Sequence, residues 1–307
     1  MSTEPAEPRT RGYAIGGHAF VAAPLAPGLY IVATPIGHLR DITLRALETL
    51  AAADILACED TRVTRVLTTH YGIRPTFLAY HEHNAAEQRP RLLAALADGR
   101  SVALVSDAGT PLISDPGFRL VGAAAAAGHA VVPIPGASAL LAALVTGGLP
   151  TDAFFFAGFL PQRGGARRRR IAALAAVPAT LVFYESPHRT AETFADLAAT
   201  LGAERPAALA RELTKTFETV RRGTLGSLAA ALAGEADPRG EIVILVGPPQ
   251  AASPEAEDVD ALLVNLLADH SLKEAAQRAA VATGLPRRDL YQRALALKGS
   301  GDDGADA

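Results

Sequence analysis

From Leu29 onward, short and largely apolar runs alternate with stretches in which apolar residues recur every three or four positions. "LYIVAT" (29–34), "ILACE" (55–59), "TFLAY" (76–80), "SVALVS" (101–106) and "AVVPIP" (130–135) have strand length. Runs of this kind predict strands buried on both faces. Between them, "DITLRALETLAAAD" (41–54) sets Ile42, Leu44, Leu47 and Leu50 at helical spacing behind Asp41, which reads as an N-cap. "TRVTRVLTTHYG" (61–72) predicts a helix closed by Gly72. Residues 84–97, "FRLVGAAAAAG" (118–128) and "GASALLAALVTGG" (136–148) continue the alternation. Strands alternating with helices predict a mostly parallel α/β sheet.

The pattern restarts at "GLPTD" (148–152). Strands are predicted at "AFFFAGF" (153–159), "ATLVFYE" (179–185), "AALARE" (207–212), "FETVRRG" (217–223) and "EIVILVG" (241–247). No helix fits between the third and fourth of these, so they predict an antiparallel pair and a mixed sheet. The expected organisation is an N-terminal α/β domain over 27–149, a second α/β domain over 150–248, a linker over 249–258 and a small helical domain over 259–298. In the last, two helices around Gly284 and Pro286 have a helix-turn-helix-like pattern, which suits either a packed appendage or a nucleic-acid contact. Residues 1–26, rich in Pro, Ala and Gly, read as a disordered extension, and 299–307 as a disordered tail.

Composition narrows the classes. The net charge of −3 offers no global basic field for nucleic acid, so any such contact must be local. The best local patch is "RGGARRRR" (163–170), with Arg62, Arg65, Arg189, Arg221 and Arg222 as additions. A solvated helix face is the plainer explanation of such a run. The single cysteine, Cys58, suits a reducing compartment. No apolar run reaches the ~18 residues of a membrane helix, and "MSTEPAEPRTRG" lacks a signal peptide's apolar segment. A cytoplasmic protein without a membrane partner is expected.

Ligands of open α/β sheets sit beyond the carboxyl ends of the strands. Four loops leave those ends: "TPIGHLRD" (34–41), "CEDTR" (58–62), "SDAGTPLISDPG" (106–117) and "PGAS" (135–138). Neither GxxxxGK[ST] nor a strand-following GxGxxG is present, which argues against a nucleotide hydrolase. The third loop instead presents Asp107 and Asp115, which repel phosphate and attract an amine, a sulfonium or a metal ion. No metal is expected, because no His/Cys cluster has ligand spacing and "HEH" (81–83) reads as solvated loop histidines.

"LYIVATPIGHLRDITLRALETL", "ACEDTR", "LVSDAGTPLISDPG", "PGASALLAAL", "GFLP", "FYESPHR", "LARELTKTFE" and "GEIVILV" follow one another in this order. Together they resemble the tetrapyrrole (corrin/porphyrin) methylase superfamily, and within it the branch that 2'-O-methylates a cytidine of 16S rRNA. His38 stands where that branch more often has Asn. The resemblance implies two α/β domains with a ligand cleft between them, and S-adenosylmethionine as the cofactor in that cleft. It implies Asp107, Gly109 and Thr110 at the methionine end with Ser138 and Ala139 nearby. Tyr184, Ala210, Arg211, Glu241 and Ile242 would surround the adenosine, and Pro35 and Gly37 would wall the opposite side. It also implies 16S rRNA in the small ribosomal subunit as partner, and a homodimer.

A ribose hydroxyl is a weak nucleophile near neutral pH, so a positioned base should help. Candidates are Glu59, Asp60, Glu185, His188, Glu212 and Lys215, with Lys215 and Glu185 favoured. Lys215 could serve if burial or nearby arginines lowered its pKa. Asp60 could simply cap the helix at Thr61, and Glu212 could pair with Arg211. Arg62, Arg163, Arg167, Arg168, Arg169, Arg170 and Arg189 are the expected RNA contacts. Two alternatives stand beside this reading: a porphyrin-precursor methyltransferase, and a non-catalytic cofactor-binding RNA adaptor.

Overall fold

The computed structural model describes residues 11–114, 117–249 and 256–302; Asp115 of the third loop lies outside them. Strands β3 (Gly28–Val32), β4 (Ile55–Cys58), β5 (Phe77–Ala79), β6 (Ser101–Val105) and β7 (Val131–Ile134) form an all-parallel sheet in the order β5-β4-β6-β3-β7. Alternate side chains feed two cores, as the strand period of two requires. Tyr30, Val32, Leu56, Cys58, Ala103 and Val105 meet Leu47 and Leu50 of α1 (Leu44–Ala52) and Leu67 of α2 (Thr61–His70). Leu29, Ala57, Val102 and Leu104 meet Leu92 of α3 (Ala85–Ala97) and Leu120 of α4 (Phe118–Ala126).

The strand order makes a crevice. From β3 the chain crosses to β4 on one side, and from the adjacent β6 it crosses to β7 on the other. Right-handed crossovers in opposite directions put their helices on opposite faces, which leaves a gap at the carboxyl ends of β3 and β6. The first and third loops leave the sheet there.

The second sheet joins β8 (Phe154–Phe159), β9 (Thr180–Glu185), β10 (Pro206–Arg211), β11 (Thr219–Thr224) and β12 (Ile242–Val246) in the order β11-β10-β12-β9-β8. Only β8 and β9 pair in parallel; the expected antiparallel pair, β10 with β11, is present, and so is the mixed sheet. One face packs on α6 (Gly164–Ala172), α7 (Thr190–Leu201) and α8 (Leu225–Ala233) through Ile171, Phe194 and Leu228. The other face carries Val182, Ala208, Ala210, Val243 and Leu245, and it receives Ile36 of the first loop and Ala143 and Leu144 of α5 (Ala139–Thr146). This shared core makes residues 11–249 one compact unit in which the two expected α/β domains are halves.

Three boundary expectations are corrected. Asp41 ends a short 3-10 turn, Leu39–Asp41, because Ile42 is extended; Thr43 caps α1 by accepting from the Ala46 N–H at 3.1 Å. Residues 11–26 contain a hairpin, β1 (Gly12–Ile15) and β2 (His18–Val21), in place of a disordered extension. Gly16 and Gly17, both at positive φ (57° and 86°), supply the two-residue turn. Tyr13 is buried and stacks on Phe20, and Arg11 donates to Asp54 at 2.7 Å and to the Ala52 carbonyl. The third correction concerns helix ends. The second unit has three helices, α9 (Ala256–Asp269), α10 (Leu272–Thr283) and α11 (Arg287–Asp302), so helix begins inside the expected linker and runs into the expected tail. Its core is Val259, Leu263, Ala276, Ala279, Leu290 and Ala294. Ser271 and Glu274 form a capping box on α10, and Gly284 closes it. Among the described residues no helix is long and apolar enough to cross a membrane.

Candidate active site

Two cavities of about 320 Å³ each adjoin at the crevice. Both are lined by Ile36, Asp107, Ala108 and Glu241. Thr34 and Gly109 exchange backbone hydrogen bonds (2.8 and 3.1 Å), tying the first loop to the third. The Thr110 hydroxyl donates to the Ala137 carbonyl at 3.1 Å, tying the third loop to the fourth. The Asp107 carboxylate accepts from the Asp60 N–H at 2.9 Å and so joins the ends of β6 and β4. Leu112 and Ser114 hold left-handed φ values of 73° and 67° in the third loop, a conformation that costs non-glycine residues energy and clusters at functional sites.

The first cavity is lined by Asp107, Gly109, Thr110, Ser138, Ala139, Tyr184, Glu241 and Ile242, and also by Glu185. Pro35 and Gly37 line the second chamber. Ala210 and Arg211 line neither. Ala210 is buried between β11 and β12, and the Arg211 guanidinium donates to the Arg239 and Phe217 carbonyls. Ile113, Phe159, Pro187, Gly240 and Val243 also line the first cavity. All five lie in the motifs that carry the resemblance: Ile113 in "LVSDAGTPLISDPG", Phe159 in "GFLP", Pro187 in "FYESPHR", Gly240 and Val243 in "GEIVILV". The ring of Tyr184 packs edge-on against Phe159 at 5.7 Å and Phe156 at 4.9 Å.

Among the described residues no Lys, Arg or His lines the first cavity, while three carboxylate residues do. This donor set suits a ligand with an ammonium and a sulfonium and repels phosphate. The volume lies within the ~300–1,000 Å³ usual for small-molecule sites.

Lys215 lines the second chamber. Its Nζ donates to Glu212 Oε1 at 2.8 Å and lies 3.3 Å from Glu241 Oε2. Burial pulls the Lys215 pKa down, but the Glu212 hydrogen bond and the Glu241 charge outweigh it and hold the group above its ordinary value. The lowered pKa that a lysine base needs is therefore absent. The same hydrogen bond, helped by the Glu241 N–H and opposed by burial, holds Glu212 below its ordinary value. Glu212 pairs with Lys215 in place of Arg211. Gly37 is required at its position: a Cβ there would lie 2.4 Å from Lys215 Cγ and 2.8 Å from Thr214 Oγ1.

Glu185 is also not a free base. Its two oxygens accept from the Ser186 N–H (2.7 Å) and the Thr193 hydroxyl (2.6 Å), and its side chain is buried. Glu59 lines neither cavity; burial first, then the Asp107 charge, raises its pKa. Asp60 caps α2 through the Arg62 N–H at 2.8 Å, as its plainer reading expected. His188 lies in the short turn Pro187–Arg189. His38 Nδ1 accepts from the Arg40 N–H at 3.3 Å.

The expected RNA contacts divide. Arg167 has no exposed surface and pairs with Glu192 (2.5 Å) and Asp196 (2.7 Å), so it belongs to the core. Arg189 donates to the Leu160 and Pro161 carbonyls (3.0 and 3.1 Å) and fastens "GFLP" to "FYESPHR". Arg168 is tied to Asp196. Arg62, Arg163, Arg169 and Arg170 are exposed.

Residues 28–229 match the family model of tetrapyrrole (corrin/porphyrin) methylases, and residues 253–298 match that of the RsmI C-terminal HTH domain. Over 94% of this chain and 100% of the relative, the sequence is 59% identical to ribosomal RNA small subunit methyltransferase I of Mesorhizobium japonicum. It is 50% identical to the protein of that name from Pseudomonas aeruginosa, over 88% of this chain and 98% of the relative. Uroporphyrin-III C-methyltransferase of Thermus thermophilus, solved with S-adenosyl homocysteine, shares the fold at TM-score 0.51 and 24% identity, covering 72% of this chain and 97% of that one.

Proposed function

We propose, for a chain that belongs to the tetrapyrrole (corrin/porphyrin) methylase family and within it to the ribosomal RNA small subunit methyltransferase I group, that it 2'-O-methylates a decoding-centre cytidine of 16S rRNA. The substrate in this reading is the small ribosomal subunit in the cytoplasm, and the methyl donor is S-adenosylmethionine. One observation carries it: a cavity lined by carboxylates and, among the described residues, by no cation shares Ile36, Asp107 and Glu241 with a second chamber lined by a lysine.

Asp107, Thr110 and the Gly109 backbone would hold the charged methionine end, and Tyr184, Ile242 and Val243 the adenosine. When bound, the cofactor supplies a methyl group activated by a cationic sulfur. The chain's own work is then mainly alignment of the ribose hydroxyl in the second chamber. Lys215, held as an ammonium, stabilises negative charge developing on the ribose oxygen. The hydroxyl proton passes to Glu241, the exposed carboxylate common to both cavities. Glu185 and Arg189 keep the loop around Tyr184 in place.

The test uses small subunits from cells lacking this protein, incubated with purified protein and labelled cofactor beside naked 16S rRNA and a porphyrin precursor. Label on one ribose of the subunit RNA is expected. Label only on the porphyrin overturns the substrate assignment. No label on any of them, with cofactor binding confirmed by calorimetry, supports a non-catalytic adaptor.

The reading includes a homodimer. Phe154, Phe155 and Phe159 lie exposed on the edge strand β8, and apolar edges call for cover. Light scattering should give a mass of two chains; a single-chain mass at micromolar concentration removes the dimer.

A further inference from the structure

The second chamber continues outward. Leu39 and Val66 line both it and an open groove whose other walls are Thr61, Arg62, Arg65, Thr69 and His70. All but Leu39 belong to α2. The groove therefore adjoins, at Leu39 and Val66, the chamber that Lys215 lines.

The exposed face of α2 has an unusual make-up. Val63 and Val66 are 43% and 62% exposed, on a helix whose other turns supply the core through Thr64, Leu67 and Thr68. Arg65 makes no ion pair among the described residues and lies over the Phe77 ring at 5.3 Å. Arg62 is 89% exposed; its one carboxylate partner, Asp60, also caps the helix. Cations beside exposed apolar side chains suit a single nucleic-acid strand, which offers phosphates on one edge and bases and sugars on the other. No residue of the arginine-rich α6 lines the cavity, the chamber or the groove.

We propose that the outer face of α2 is the track for the RNA strand flanking the target nucleotide, with Arg62 and Arg65 on its phosphates and Val66 at the mouth of the chamber. This rests on the rRNA reading above. A nucleotide stacked in a duplex cannot bring its ribose into a recessed chamber, so it leaves the stack to enter. Fixing the phosphates on either side of it holds that extruded state. The chain's net charge of −3 is no obstacle, because the track needs only these few local charges.

The test measures binding of full-length protein to unmethylated small subunits by cosedimentation at several salt concentrations, without cofactor. Arg62→Ala combined with Arg65→Ala should weaken binding by roughly 10- to 100-fold and flatten the slope of log K against log salt by about 1.4 to 1.8, at ~0.7–0.9 per phosphate lost. Cofactor affinity by calorimetry should not change. Val66→Trp, at an exposed position where a larger side chain does not disturb the core, should keep subunit binding and lose methyl transfer. Arg169→Ala combined with Arg170→Ala should leave affinity and slope near wild type. Wild-type affinity and slope in the Arg62/Arg65 pair overturn the proposal, and so does a loss found only in the α6 pair. Full transfer by the Val66→Trp protein removes the mouth from it. If the wild-type protein itself neither binds nor methylates subunits, the rRNA reading has failed and this inference with it, an outcome distinct from a variant that binds normally.

Discussion

Lys215→Ala is expected to lower methyl transfer by about 100- to 1,000-fold, the usual loss when one preorganised donor to a developing oxyanion is removed, with cofactor affinity unchanged. The division follows from position: Lys215 lines the second chamber and not the cofactor cavity. It follows also from protonation. With Glu212 at 2.8 Å and Glu241 at 3.3 Å, the group stays an ammonium through neutral pH. A lysine acting as base would need the opposite shift and would gain activity as pH rose toward its pKa. Here the raised pKa predicts that the ammonium's contribution persists across neutral and mildly alkaline pH and fades only above the ordinary lysine range. Lys215→Arg should recover part of the rate, because it restores the charge but not the compact donor. Single-turnover rates against pH, with a thermal melt of each variant, check the prediction. A Lys215→Ala rate equal to wild type would end the assignment, and a rate rising through pH 7–9 with pKa-limited kinetics would return Lys215 to the role of base.

Arg167→Ala is expected to destabilise the protein by about 3–5 kcal/mol, the cost of removing one partner from a buried ion pair. Its guanidinium bridges α6 to α7 through Glu192 and Asp196. Asp196 keeps only 12% side-chain exposure and would retain one distant partner, Arg168 at 3.3 Å. Urea melts should show the loss as a lower midpoint at an unchanged slope. The exposed Arg169→Ala should stay within about 0.5 kcal/mol of wild type. A midpoint shift in Arg167→Ala no larger than that of Arg169→Ala would return Arg167 to the surface role its neighbours suggested.

Arg167 shows why a run of four arginines cannot be read uniformly. Successive helical residues point about 100° apart, so a charge run on a helix with one buried face must place some member inward. Which member it is depends on the carboxylates of another helix, far along the chain. The same limit applies to Glu185, whose oxygens are taken by Ser186 and by Thr193 on α7. It applies to Lys215, where burial was foreseen as lowering the pKa. Glu212, three residues earlier, and Glu241, from the loop before β12, together reverse the shift, and only Glu241 is brought in from far along the chain.

Local signals were sound where the chemistry is local. The strand patterns matched every strand of both sheets from β3 to β12 to within a residue or two, most directly for buried strands such as β4, β6 and β12, which are continuous in apolar residues. The loops at the strand ends carried Asp107, Gly109, Thr110 and Ser138, because a binding loop at a sheet's carboxyl edge is contiguous in sequence. The Gly16–Gly17 hairpin was equally local and went unread among its prolines and alanines. Sequence alone therefore determined the elements, the parallel first sheet and the carboxylate character of the cofactor cavity. The strand order that opens the crevice, the chamber behind it, the α2 groove and the approach of Glu241 to Lys215 came from tertiary structure, because each depends on groups that only long-range packing brings within a few ångströms.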